Sequence, residues 1–231
     1  MTPDSPLVER LLYTYWDVDR ILGLGSNTAR RWINGYERRG VEYPPVVRGE
    51  ALDTARVKWG EFIEVYYLSR FRRSGIPLQK LRSILQAVRE RTGVHYLFAD
   101  DKVLYADPDE LEVIYELQER EGLSTFLVRR TGQLKFELDP EARQRLERIT
   151  YEEGVARALK PRLDLDHIVV HGERFFGKPK VEGTGVSPDA VARLVWSGTP
   201  IETVSEMYDL TPAVINEAGV FSFGGRWKVA A

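Results

Sequence analysis

The 231-residue sequence predicts a mainly α fold with small β elements, an α+β class, on three observations. From Tyr15 to Gly40, apolar residues recur at the offsets that pack two short helices steeply across a glycine turn. Between Trp59 and Gly93, two apolar stripes follow helical spacing. Near the C-terminus a hydroxyl residue precedes proline three times, at Ser187-Pro188, Thr199-Pro200 and Thr211-Pro212, each time opening a run of helix formers. These signals divide the chain into a winged helix-turn-helix unit over residues 1–93, a small α+β segment over 94–160, a three-helix unit preceded by short strands over 161–219, and a tail over 220–231.

In the first unit, counting from Gly23, the inward positions are Val18, Leu22, Leu24, Ala29 and Trp32, all apolar. The second helix turns Asn27, Thr28, Arg30, Arg31 and Asn34 outward, the residue types that bond phosphates and major-groove base edges. Ser26 is placed to cap that helix, its hydroxyl accepting from an orphan amide of the first turn. An ordinary αα-hairpin with a polar face would share this spacing, but the arginine and asparagine content of one face favours a DNA reader. Beyond it, Pro44 and Pro45 hold the chain extended and, with Val46, Val47 and Gly49, predict a small wing. Arg38 and Arg39 would meet the DNA backbone beside that wing.

Charge is segregated in the same sense. The net formal charge is −2, yet residues 1–93 carry 16 Lys and Arg against 11 Asp and Glu, residues 94–160 carry 10 against 15, and residues 161–231 carry 7 against 9. The positive charge therefore accompanies the candidate reader. The absence of cysteine excludes a disulfide framework, a thiolate metal site and a thiol nucleophile. No run approaches eighteen apolar residues and no basic-then-apolar leader opens the chain, so neither a membrane span nor export is indicated, and a cytoplasmic location is expected.

The stripe from Trp59 through Phe62, Ile63, Tyr66 and Leu68 to Phe71 predicts a helix that breaks at Ser74 and Gly75. Leu78, Leu81, Ile84, Leu85 and Val88 predict another, starting at Pro77 and ending near Gly93. In the middle segment the spacing predicts a helix from Asp107 to Gly122, a hairpin with strands 126–130 and 134–138, and a short helix from Pro140 to about Thr150. In the last unit the three short helices would turn inward Val191, Leu194 and Val195, then Val204 and Met207, then Val214, Ile215 and Ala218. Thr199 and Glu202 suit a capping box. The final two helices could form a second helix-turn-helix, but with Asn216 and Glu217 and no basic residue the last is a poor phosphate binder.

Several motifs fail on inspection. Gly172 to Lys178 has the spacing of a phosphate-binding loop until Pro179 replaces the Ser or Thr that would hold magnesium, and extended chain follows where a helix is required. His167 and His171 are separated by Ile168, Val169 and Val170, a strand sequence, with no zincin carboxylate. Asp164, Asp166 and Glu173 fit no recurring two-metal spacing, so neither catalysis nor a metal or cofactor is expected. His95 reads as structural.

Two resemblances add to this reading. Helix, turn, helix, wing and two further helices over about residues 13–92, with the motif SGIPLQKLRSIL, resemble the DNA-binding domain of the MerR group of regulators. Residues 167–219 resemble a small bacterial domain of unknown biochemical function, through Gly177, Pro179, Val181, Gly183, Thr184 and Val186, then Ser197, Gly198, Tyr208, Leu210, Thr211 and Ile215. The position after Thr184, often Arg in that domain, is Gly185 here. The combination is similar to VapB-type antitoxins encoded beside toxins of the PIN-like ribonuclease type. The resemblance implies a non-enzymatic, DNA-binding antitoxin, a homodimer that binds its own operator through Ser26, Asn27, Thr28, Arg30, Arg31, Asn34, Arg38 and Arg39, and that neutralises a PIN-like toxin. It directs attention to the tail, where Phe221, Phe223, Arg226, Trp227 and Lys228 would either block the toxin or fold back on their own domain. The competing reading is a stand-alone MerR-like regulator that senses a small molecule.

Overall fold

A computed structural model describes residues 6–73, 77–99 and 148–227. The mixed helix and strand class expected from the sequence is present, with the helix-turn-helix first and three helices after short strands last. A strand not anticipated from sequence, β1 (Leu11–Thr14), opens the described chain and pairs antiparallel with β4 (Arg56–Lys58). Thr14 ends β1 and caps α1 (Tyr15–Leu22). Its hydroxyl accepts from the Asp17 amide at 3.2 Å, and its own amide donates to the Asp17 carboxylate at 2.8 Å. The second helix, α2 (Thr28–Asn34), is followed by the hairpin β2 (Tyr36–Arg38) and β3 (Val41–Tyr43).

The helix α3 (Trp59–Arg73) is buried at every position from Trp59 to Phe71. The apolar stripe understated this, because the buried faces also hold Glu61, Glu64, Ser69 and Arg70. Against it lies α4 (Leu78–Thr92), stopped by Gly93 in the left-handed conformation, where the sequence placed its end.

The helix expected over 107–122, the hairpin over 126–138 and the beginning of the helix expected from Pro140 lie outside the described residues. The end of that last helix is corrected: Ile149 and Thr150 belong to β5 (Ile149–Glu152), which turns through Glu153 and Gly154 into β6 (Val155–Leu159). Both turn residues have positive φ, the signature of a tight two-residue hairpin. β7 (Ile168–His171) and β8 (Lys180–Val181) complete an antiparallel sheet of order β5-β6-β7-β8. That sheet joins residues on both sides of position 160, and one apolar core runs from Val18 and Trp59 through Ile168 to Val191 and Ile215.

The glycine-rich run of the third unit forms the connection from β7 to the last helices. The Thr184 hydroxyl donates to the Val181 carbonyl at 2.8 Å and accepts from the Val186 amide at 3.0 Å, closing a turn on the buried Val181. Three helices follow as expected: α5 (Pro188–Trp196), α6 (Ile201–Tyr208) and α7 (Pro212–Phe223). Thr211 caps α7 by accepting from the Val214 amide at 3.4 Å. The predicted Thr199–Glu202 capping box is absent, since α6 starts one residue later behind Pro200, and Met207, expected inside, is exposed.

Tyr13 of β1 donates to the Gly177 carbonyl at 2.9 Å, fixing the first unit to the third. Gly177 has φ +70°, and a Cβ there would stand 2.7 Å from the Tyr13 oxygen. Gly177→Ala combines backbone strain with a steric clash and is expected to lower stability by about 2 kcal/mol or more in urea denaturation.

Candidate nucleic-acid interface

The reader is a turn between two helices. Gly23 ends α1 with φ +63°, and the chain enters α2 through Asn27, which also has positive φ and makes no side-chain cap. Ser26 is exposed and is not the cap residue. The N-terminus of α2 is met across the turn by the buried Asp19 of α1, whose carboxylate accepts from the Ala29 amide at 2.7 Å, while the Thr28 amide donates to the Gly25 carbonyl at 3.1 Å. A carboxylate at this end also meets the positive pole of the helix. One side chain thus terminates the second helix and sets its angle to the first.

Of the expected inward residues, Val18, Leu22 and Ala29 are buried, while Leu24 and Trp32 are half-buried against the core. Ile33 takes the fully buried place assigned to Trp32. With α2 beginning at Thr28, Ala29 and Ile33 are four apart on one face, and Trp32 falls at its edge. The Trp32 carbonyl receives the amides of Val46 and Val47, at 2.8 and 3.1 Å, and both valines enter the core. The wing therefore precedes the prolines: it is the β2–β3 hairpin, turning at Arg39 and Gly40 with φ of 54° and 75°. Tyr36 and Tyr43 stack across it with ring centroids 4.6 Å apart.

Arg30, Arg31, Arg38 and Arg39 are exposed, two on α2 and two on the hairpin, with the Arg31 guanidinium 5.8 Å from the Tyr36 ring centre. Asn27 is exposed and Thr28 half-buried. Asn34, expected to point outward, has both ends of its amide engaged. Its oxygen accepts from Arg48 at 2.9 Å and from the Leu52 amide at 2.8 Å, and its nitrogen donates to the Leu52 carbonyl at 3.0 Å.

Arg48, which the sequence did not single out, is the hub of this unit. Buried, it donates from Nε to Glu61 of α3 at 2.6 Å, and from its other nitrogens to Glu61, the Tyr15 hydroxyl, Asn34 and the Arg56 carbonyl. Its five donors are all satisfied, so α1, α2, β4 and α3 meet on one planar group.

The other predicted sites separate. In the tail, Phe221 is buried in the core, a correction to its expected role as a free anchor. Phe223 stacks on Trp196 at 4.5 Å, and the Trp227 indole donates to Asn216 at 2.7 Å while lying over Gly219. The expected tail therefore begins as the last turn of α7, residues 220–223, and residues 224–227 fold back on α5 and α7; Arg226 is exposed, and Lys228 lies outside the described residues. Asp164 pairs with Arg162, Asp166 with Arg148 and Glu173 with Arg157, so the three carboxylates converge on no common point. His167 lies just before β7 and contacts Glu217 at 2.8 Å, and a left-handed turn at Phe175–Gly177 and then extended chain follow Gly172 in place of a helix.

Burial raises the Asp19 carboxyl above its ordinary range, against the opposing effect of its amide donors. A folded pKa above the unfolded one contributes stability that is complete below the unfolded value and is lost as pH rises through the folded value. Asp19→Ala is expected to cost about 1–2 kcal/mol in urea denaturation and to loosen α2. Asp19→Asn, which keeps one acceptor, should cost less, with a deficit against wild type that shrinks as pH rises above the ordinary carboxylate range.

Residues 11–85 match the family described as "Putative DNA-binding HTH domain", and residues 168–221 match "Protein of unknown function (DUF433)". The fold is shared with the crystal structure of Rv2018 from Mycobacterium tuberculosis, with a TM-score of 0.66 at 24% identity over 90% of this chain and 97% of that one. A protein of the same organism (strain ATCC 25618 / H37Rv), named "Putative antitoxin VapB45", is 28% identical over 226 residues, 90% of this chain and 92% of that protein. The uncharacterized protein Rv2308 of that strain is 31% identical over 220 residues, 93% of this chain and 91% of its own length. Matched along nearly all of both sequences, the chain belongs to the family of Rv2308.

Proposed function

We propose that this chain is the antitoxin of a type II toxin–antitoxin pair, a non-enzymatic protein that binds its own operator and neutralises a PIN-like ribonuclease encoded beside it. The observation that carries the reading is the union, in one core, of a helix-turn-helix and its hairpin, each bearing two exposed arginines, with a C-terminal segment that matches the DUF433 family. End-to-end similarity to a protein named as an antitoxin supports it. Arg30 and Arg31 on α2 are assigned to bases and phosphates, with Asn27 and Thr28 at its N-terminus and Ser26 on the approach. Arg38 and Arg39 at the wing tip are assigned to the flanking backbone. Asn34 acts by holding α2 to Arg48 and Leu52. The protein works as a cytoplasmic homodimer on a two-fold operator, repressing its own gene pair.

A second reading, a MerR-like regulator answering to a small molecule, draws on a cleft of about 420 Å³ between α1 and the start of α5. The two readings differ in partner. Co-expression with the product of the adjacent gene should yield a stable complex and relieve that product's toxicity; a harmless neighbour that never co-purifies would remove the antitoxin reading. In mobility-shift assays on DNA upstream of its own gene, Arg30→Ala/Arg31→Ala should abolish binding at physiological salt. Arg38→Ala and Arg39→Ala should weaken it less and lower the salt dependence by roughly one unit of slope each. Full affinity in the Arg30/Arg31 variant would place the reader elsewhere.

A further inference from the structure

The connection between β7 and β8 contains an anomaly that the fold does not need. Phe175, Phe176 and Gly177 have φ of 55°, 54° and 70°, three left-handed residues in succession. Only Gly177 has a reason within the fold, its approach to Tyr13. L-residues with a Cβ disfavour this conformation, and Gly or Asn would form the turn with less strain. Yet two phenylalanines occupy it, and they are 41% and 80% exposed. Strain combined with exposed aromatic surface belongs at sites selected for binding.

The surroundings define what would bind. Phe176 borders the 420 Å³ cleft together with Lys178 and Arg193, and Phe175 borders a second cleft of about 380 Å³ together with Arg174. The side chains of Arg174, Lys178 and Arg193 make no ion pair or hydrogen bond among the described residues. Of the nearby acids, Glu173 pairs with Arg157, Glu182 with Lys160 and Asp189 with Arg20, while Asp17 is held by the Thr14 amide and hydroxyl and is, among the described residues, the one carboxylate here without a cation, against three free cations. The unbalanced charge around the aromatic pair is therefore positive. A nucleic-acid backbone is disfavoured, because a continuous row of phosphates would be laid across Glu173, Glu182 and Asp189, whereas separate carboxylates can seat between them. An exposed aromatic pair with arginines beside it has the composition enriched at protein interfaces, and the lysine suits their polar rim.

We infer that Phe175 and Phe176 form the anchor by which this chain docks on a protein partner, inserting into an apolar depression rimmed by carboxylates. Resting on the antitoxin reading above, the inference names that partner as the toxin and moves its contact surface from the C-terminal tail to this knuckle. The ring of Phe175 is met by Lys180, whose ammonium lies 4.9 Å from the ring centre, while Phe176 is largely exposed.

The test uses the full-length protein and the purified product of the adjacent gene. Phe176→Gly and Phe176→Asn relieve the strained backbone and should leave the melting temperature unchanged or raised. Their affinity for the partner, measured calorimetrically, should fall roughly thirty-fold or more. Arg174→Glu/Lys178→Glu should weaken binding further at low salt than at high salt, and operator affinity should be unchanged in all of these variants. Undiminished partner affinity in the Phe176 variants would overturn the assignment alone. Absence of any complex with the wild-type protein would overturn the antitoxin reading and this assignment with it. Loss of operator binding with partner affinity intact would reassign the knuckle to DNA, and loss of self-association alone would reassign it to a second copy of the chain.

Discussion

A helix buried on every face is a severe constraint, because each polar side chain on it must find a partner inside the protein. In α3 these include Glu61, Glu64, Ser69 and Arg70; Ser69 donates to the Tyr66 carbonyl of its own helix, while the partners of the other three come from different parts of the sequence. Glu61 holds Arg48 and through it the reader; Glu64 receives Arg89 of α4 at 2.9 Å and the Phe98 amide at 2.7 Å. Arg70 donates to the Pro161 carbonyl at 3.0 Å, ahead of β7. Removing one member of such a buried pair costs about 3–5 kcal/mol, since the other is left charged in an apolar interior. Burial raises the Glu64 carboxyl and lowers the Arg70 guanidinium from their usual ranges, the same cost expressed in protonation. The spatial relation of the reader, α4 and the sheet is therefore fixed by which cations and carbonyls reach α3.

Legibility in the sequence followed the range of the interactions involved. Elements defined within a few residues were readable: the α1–α2 turn from Gly23, α4 from Pro77 and Gly93, and α5 and α7 from hydroxyl-proline pairs. What failed depended on distant partners. Ser26 had the right chemistry for a cap, but Asp19, brought to the start of α2 by the turn, supplies a carboxylate to the Ala29 amide. Asn34 had the chemistry of a base reader and was taken by Arg48, a residue fourteen positions later that is conspicuous only once Glu61 is known to be buried beside it. The wing was sought at the prolines, while its real signal was Arg39-Gly40, a two-residue turn between short exposed strands with no alternation strong enough to announce them.

In the C-terminal part the glycine and threonine positions of the recognised domain have structural explanations. Gly177 admits Tyr13, Thr184 closes the turn over Val181, and Ile215 is buried at the centre of α7. The tail was the ambiguous case, and packing decided it. Gly219 offers α7 a bare face on which the Trp227 ring lies so closely that a Cβ would fall 1.9 Å from it. Aromatic surface that looked available for a partner is thus largely consumed by Trp196, Phe223 and Trp227 stacking on one another. One face of Trp196 stays open, and further open aromatic surface lies on Trp16 and on Phe175 and Phe176, within the run that resembled a phosphate loop.

The attachment of the reader to the rest of the chain can be apportioned by magnitude. The visible link is the ion pair of Arg20 with Asp189, at 2.5 Å, but its side chains are 28% and 26% exposed, and pairs of that kind contribute about 0–1 kcal/mol. The buried links are of another order. Trp59 is fully enclosed and donates from its indole to the Ala156 carbonyl of β6 at 2.6 Å, and Tyr13 is enclosed against Gly177. Burying roughly 150–250 Å² of one large aromatic side chain corresponds to about 4–6 kcal/mol of transfer free energy. Apolar burial, not charge, therefore joins the helix-turn-helix to the sheet, and the ion pair supplies orientation. Asp19 and Arg20 then acquire a joint meaning as neighbours on α1 that face different ways, one fixing α2 and the other meeting α5. The angle of α2 and the seat of the C-terminal helices are thus referred to the same turn of one short helix.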